Sequence, residues 1–165
     1  MKTVYGKLAN RFRGEIRDLD RTVARASRVW EQANTTSVDQ DVYLDSVALN
    51  LHGFYSGLEK LFQLVATHLD DDLPTSKNWH HDLLQMMGRD VTNVRPAVIH
   101  PDKIDDLDEF RRFRHVVRNV YATNLLPERM SGLLESLPEL WTSLKAELLV
   151  FAGFLEQLNQ ADEGN

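Results

Sequence analysis

No proline occurs in the first 73 residues, and through that stretch the apolar residues keep one rhythm. Val4, Leu8, Phe12, Ile16, Leu19, Val23, Ala26, Trp30 and Ala33 recur at spacings of three and four, the period of an amphipathic helix and one that strand alternation cannot produce. A first long helix is predicted there. Asn34, Thr35, Thr36 and Ser37 are polar, helix-capping residues, so a turn and a new start near Ser37 or Val38 follow. Val47, Leu51, Phe54, Leu58, Leu61, Val65 and Leu69 then restore the helical period. Gly53 and Gly57 lie four apart on one face of this second helix, where they either admit a neighbouring backbone or are tolerated at ~1 kcal/mol each. Asp70, Asp71 and Asp72 oppose the dipole at its C-terminus, and Pro74 cannot extend it.

Beyond Pro74 the pattern shortens. Ser76 is expected to cap a third helix that runs to about Met87 and stops at Gly88. Residues 89–101, with Pro96 and Pro101 flanking Ala97, Val98 and Ile99, read as an irregular connection held by those three apolar side chains. A fourth helix begins near Asp102 and turns Ile104, Leu107, Phe110, Phe113, Val117, Val120 and Tyr121 inward. Pro127 suits the first position of a fifth, in which Pro138 marks either a kink or a fresh N-terminus. The architecture predicted is all-α, an antiparallel bundle of about five helices, in one domain over residues 1–160 with a frayed tail at 161–165.

Composition narrows the chemistry. A chain of 165 residues can bury a core without a metal or a disulfide, and with no cysteine it has no thiol catalysis and no thiolate-bound metal. Its uncharged apolar runs, such as Leu148 to Leu155, fall far short of the ~20 residues that span a bilayer, which points to a soluble, cytoplasmic protein with no membrane partner. The net charge of −6 argues against general nucleic-acid binding, yet it conceals an asymmetry. Residues 1–30 hold eight bases and three acids, whereas the rest holds eleven bases and twenty-two acids. On the first helix Arg13, Arg17, Arg21, Arg25 and Arg28 form a stripe that either tracks a phosphate backbone or is a solvated face; the second is the commoner case. His80 and His81 are adjacent, so on a helix they diverge and do not chelate together, and His52, His68 and His100 show no metal spacing. Structural roles are expected for them, and neither a metal nor a cofactor is implied.

The sharpest anomaly is the segment Phe110 to Tyr121, where Arg111, Arg112, Arg114 and Arg118 fall within eight residues of an otherwise acidic half. Like charges one turn apart cost a few tenths of a kcal/mol per pair, so something must offset them. Asp105, Asp106, Asp108 and Glu109 can serve Arg111 and Arg112 at helical spacings. Arg114 and Arg118 have no acid one turn away: their neighbours are Phe110, Arg111, Val117, Tyr121 and Ala122. Each is therefore either a ligand for an anion from outside, phosphate fitting an arginine fork best, or half of a tertiary salt bridge.

Arg114, position 119 and Tyr121 together resemble the Arg-x4-His-x-Tyr signature of the HEPN superfamily, in particular its HepT-like toxins. The upstream block Leu51 to Glu59, Leu73-Pro74, Trp79-His80, Leu83-Leu84 and Arg95 to Ile99 extend the resemblance along most of the chain. The resemblance implies a helical bundle paired into a two-fold homodimer, with the motif helices lining a shared cleft for metal-independent RNA cleavage, the RNA being a tRNA or an mRNA. It also implies a nucleotidyltransferase-like antitoxin as partner, and Tyr121 as a site of adenylylation. Cleavage of this kind uses the ribose 2′-hydroxyl as nucleophile, so it needs a proton carrier near neutral pH and fixed donors to the phosphoryl oxygens. Arg114 would bind the scissile phosphate, with Arg111, Arg112 and Arg118 as further phosphate ligands. The match departs from the signature at Asn119, since an amide orients a phosphate or hydroxyl but cannot exchange a proton at pH 7. Asn119 and Tyr121 would position the substrate, and His115, four residues before Asn119 on the same face, is the candidate proton carrier. The alternative is a catalytically degenerate module that binds RNA, a nucleotide or a partner protein without cutting.

Overall fold

Five helices, α1 (Val4–Thr35), α2 (Gln40–Val65), α3 (Trp79–Met87), α4 (Ile104–Asn119) and α5 (Pro127–Glu163), make up the computed structural model. It describes residues 4–119 and 127–165, and among them every side chain except those at 118 and 119. α1 buries most of the predicted stripe: Leu8, Phe12, Ile16, Leu19, Val23, Ala26 and Ala33 are inside, whereas Trp30 is half-buried and Val4, at the helix start, is exposed. It runs antiparallel to α2, since Gln40 Nε2 donates to the Ala33 carbonyl at one end and Lys60 pairs with Glu15 at the other. It is also antiparallel to α5, through Arg13 with Glu156 at 2.8 Å and through Asp20, which accepts from Trp141 Nε1 at 2.7 Å and Lys145 Nζ at 2.6 Å. Gly57 makes the α1–α2 approach possible, because a Cβ there would lie 2.8 Å from Leu19 Cδ2 and 2.9 Å from Glu15 Oε1. Gly53 has nothing within 4 Å of the same position, so close packing belongs to one glycine of the pair.

The predicted breaks lie close to the observed ones, and the differences have local causes. α2 starts at Gln40 rather than near Ser37, after Asp39 takes a left-handed conformation with φ 56°. Its end widens into a π-turn, Ala66–Asp70, before Asp71 turns left-handed at φ 48°. Ser76 is not the cap of α3: its carbonyl accepts from Trp79 N and its hydroxyl accepts from Asn78 N, closing a turn one residue short of the helix. Residues 96–101 pack through Val98 and Ile99, each 1% exposed, whose amides both donate to the Met87 carbonyl. Pro138 opens no new helix. α5 passes through it unbroken, since a proline removes one backbone bond while Leu134, Leu137, Trp141 and Leu144 remain in the core on either side. α5 also continues to Glu163, into the segment read as a frayed tail.

One pairing departs from a simple antiparallel bundle. Phe54 meets Phe110 edge-on at 5.3 Å and Glu59 meets Arg114, so α2 and α4 ascend together along their contact. The π-turn, α3 and residues 88–103 intervene between them, and a connection of that length frees two helices from hairpin geometry. Among the described residues, no helix is long and apolar enough to cross a membrane.

Candidate functional site

On α4, Phe110 and Arg114 lie one turn apart and face α2, where Tyr55 and Glu59 are likewise one turn apart. The two pairs interlock. Phe110 packs on Phe54, and the Arg114 guanidinium lies 4.9 Å from the centre of the Tyr55 ring. Arg114 Nη1 and Nη2 donate to Glu59 Oε1 and Oε2, each at 3.0 Å, and both side chains are 7% exposed. Of the two arrangements left open by the spacing, Arg114 therefore forms the tertiary salt bridge, with a residue 55 positions upstream. The fork that a phosphate would meet is engaged from within the chain. Burial pushes the Tyr55 phenol well above its ordinary range, with the Glu59 charge adding to the effect, and its hydroxyl has no hydrogen-bond partner among the described residues.

The third member of this cluster is His80, from the first turn of α3. Its Nδ1 lies 2.8 Å from Glu59 Oε2 and 3.0 Å from Arg114 Nη2. One ring nitrogen cannot serve both: it donates to the carboxylate when protonated and accepts from the guanidinium when not. Glu59 and Arg114 thus pull the imidazole toward opposite tautomers. The ring also stacks on Trp79, with centroids 3.6 Å apart, which fixes its plane.

His80 lines a cleft of about 560 Å³ together with Lys77, Asn78, Trp79, His81, Arg111 and His115. No carboxylate is among these residues, a notable lining in an acidic chain; the acids stand one layer back. Asp108 accepts from Arg111 Nε at 2.6 Å and Arg112 Nε at 2.8 Å, the three- and four-residue pairing that the sequence suggested. Burial works to raise the Asp108 carboxyl, but the hydrogen bonds from Arg111 and Arg112 outweigh it and hold the group below the usual carboxylate range. Arg111 remains partly open toward the cleft, whereas Arg112 is 70% exposed and turned to solvent. His115 is exposed at the cleft edge. The candidate roles of Arg118, Asn119 and Tyr121 fall on side chains outside the described residues.

Two features were missed by sequence reasoning. Glu59 sits on the apolar arc of α2 between Tyr55 and Phe62, and an acid in that position is itself the signal of a buried cationic partner. Arg95 is buried against Asp70 at 2.7 Å, and its remaining N–H groups donate to the carbonyls of Arg89, Pro96 and Met86, which ties residues 89–96 to the end of α2. Elsewhere, Arg17, Arg21, Arg25 and Arg28 of the α1 stripe are exposed, and Arg13 pairs with Glu156. An apolar groove of about 550 Å³ between residues 96–101 and α5, lined by Val98, Val150 and Phe154, holds none of the motif residues.

No curated protein and no solved structure matches the chain. A family model described as HepT-like protein does, over residues 46–155, which span all but the first six residues of α2, then α3, α4 and most of α5, and which contain Glu59, His80, Arg111, Arg114 and His115. With its all-helical fold and the order of its motif blocks, the chain belongs to the HepT-like family of the HEPN superfamily.

Proposed function

We propose that this chain is the toxin component of a toxin–antitoxin pair, a HepT-like ribonuclease that works without a metal ion. The observation that carries the reading is the α3–α4 cleft, whose charged and titratable lining residues are all basic or imidazole although the chain carries a net charge of −6. Such a lining attracts the phosphate backbone of RNA locally in a chain whose net charge is negative. In this reading Arg111 and Lys77 are the accessible phosphate donors and His115 stands within the same cleft. Arg114, held by Glu59, fixes the walls of the site and contributes its positive charge through them rather than through a free fork. Asn119 and Tyr121, which follow in sequence, position the substrate, with Arg118 as a further phosphate ligand. A second copy of the chain completes the cleft, two motif helices meeting across a two-fold axis over more than ~1,200 Å² of buried surface. A nucleotidyltransferase-like antitoxin opposes the activity, with the Tyr121 hydroxyl as the adenylylated group.

The test is incubation of purified protein with total RNA and a chelator, followed by analysis of fragment ends. 2′,3′-Cyclic phosphate and 5′-hydroxyl ends are expected. Growth arrest on expression, relieved by a neighbouring gene product, is the matching result in cells. A second reading, a HepT-like module that binds RNA without cutting it, is favoured by one observation, Asn119 at the histidine position of the motif. RNA retention without new ends would establish it.

A further inference from the structure

Asn119 leaves the motif without its proton carrier, and the cluster around Arg114 contains an imidazole that the motif does not include. We propose that His80, presented from α3, is the proton-transfer group of this site and that Glu59 positions it. The inference rests on the ribonuclease reading above. Glu59 Oε2 lies 2.8 Å from His80 Nδ1, nearer than Arg114 Nη2 at 3.0 Å, and that guanidinium nitrogen already donates to the same carboxylate, so of the two competing partners the carboxylate prevails and the proton sits on Nδ1. With Nδ1 engaged, Nε2 is the nitrogen available to the cleft that His80 lines, and it carries a lone pair. This is the logic by which a buried carboxylate makes a histidine a base at its far nitrogen. Stacking on Trp79 restricts the ring's rotation, and the side chain, 29% exposed, lines the cleft.

The charges around the ring come from three elements. Glu59 of α2 supplies the carboxylate, Arg114 and Arg111 of α4 supply guanidinium groups, and Lys77 before α3, His81 on it and His115 of α4 add no negative charge. The Glu59–Arg114 pair is neutral as a unit, so the base is oriented without being buried beside a net charge. When a phosphodiester occupies the cleft, His80 Nε2 takes the 2′-hydroxyl proton as the 2′-oxygen bonds to phosphorus and the P–O5′ bond breaks. The departing 5′-oxygen takes a proton from water, the resulting hydroxide takes the one held by His80, and the ends are a 2′,3′-cyclic phosphate and a 5′-hydroxyl. His80 is the imidazole that a buried carboxylate holds, whereas His115 is exposed at the cleft, so His80 is the stronger candidate for this role.

The experiment compares wild type, His80→Gln, His115→Gln and Asn119→His on a fluorescent RNA oligonucleotide in chelator between pH 5 and 9, with RNA binding and thermal melting measured in parallel. His80→Gln is expected to lower cleavage by at least about 100-fold, the usual scale of general acid–base catalysis, while RNA affinity and melting stay near wild type. The pH profile of wild-type cleavage should carry a limb that is absent from the residual activity of His80→Gln. His115→Gln should lower cleavage by less than about 10-fold. Cleavage by His80→Gln at the wild-type rate and with the wild-type pH profile overturns the proposal and leaves the ribonuclease reading intact. An inert wild type that binds RNA, or one that cuts only after Asn119→His, overturns it as well, the former together with the ribonuclease reading. Should His80→Gln fail to melt cooperatively, His80→Asn and recovery of cutting by added imidazole with His80→Ala decide the matter: recovery supports the proposal and its absence overturns it.

Discussion

The two arginines buried among the described residues are held in different ways. Arg95 uses all five of its N–H donors, two on the oxygens of Asp70 at 2.7 Å and three on backbone carbonyls, and its side chain is fully inaccessible. Arg114 makes two longer bonds to Glu59, at 3.0 Å, shares one of those nitrogens with His80, and borders a cleft on its Glu59 side with Lys60 and Ser56. The first arrangement is saturated, so it can only hold the chain together. The second leaves an imidazole contested between a carboxylate and a guanidinium at the wall of a cationic cleft, an arrangement whose protonation can change. A saturated buried pair marks structure, and an unsaturated one that touches solvent marks a place where chemistry can be done.

That contrast sets the order of the expected effects. Arg95→Ala leaves Asp70 buried and alone, and should lower stability by about 3 to 5 kcal/mol in a denaturant melt. Its effect on RNA binding at retained folding should be small. Gly57→Ala, which drives a methyl group into Leu19 and Glu15, should cost about 1 to 3 kcal/mol, whereas Gly53→Ala, with open space around it, should stabilise by up to ~1 kcal/mol. The local clamp on Asp108 is weaker, because Arg112 is exposed and its pair is screened: Arg112→Ala should cost less than ~1 kcal/mol. The clamp also has a pH signature. The folded Asp108 carboxyl is held below its ordinary value, so its contribution is present above the unfolded value near ~4 and is lost as pH falls through the folded one. The stability gap between wild type and Asp108→Asn should therefore be full at neutral pH and shrink below pH ~4. Smallest of all should be Tyr55→Phe, which removes a buried hydroxyl unpartnered among the described residues and keeps the ring under Arg114; a change within ~1 kcal/mol is expected by the same melt.

Most of the helical architecture was legible in the sequence because helices announce themselves locally. The apolar period located α1 and α2, Pro127 began α5, and the spacing from Asp108 to Arg111 and Arg112 gave their ion pairs. What escaped was what depends on contacts distant in sequence. Nothing within a turn of Arg114 names Glu59, and nothing within a turn of Arg95 names Asp70; both acids come from α2 or the π-turn that follows it. His80 was read beside His81 as a structural residue because its partners arrive from two other helices. Of the two readings of Pro138, the fresh N-terminus gave way to core residues on both sides of it, and α5 runs through.

A double-mutant cycle on Glu59 and Arg114 tests most directly whether this pair builds the site. Glu59→Gln, Arg114→Met and the double variant are to be compared in equilibrium unfolding at pH 7. Each single change strands a buried partner, so the account predicts large individual losses, a double variant less destabilised than their sum, and a coupling energy of about 2 to 3 kcal/mol. Additive losses, with coupling below ~0.5 kcal/mol, would show that Arg114 does not depend on Glu59, and would return it to the role of a free anion ligand.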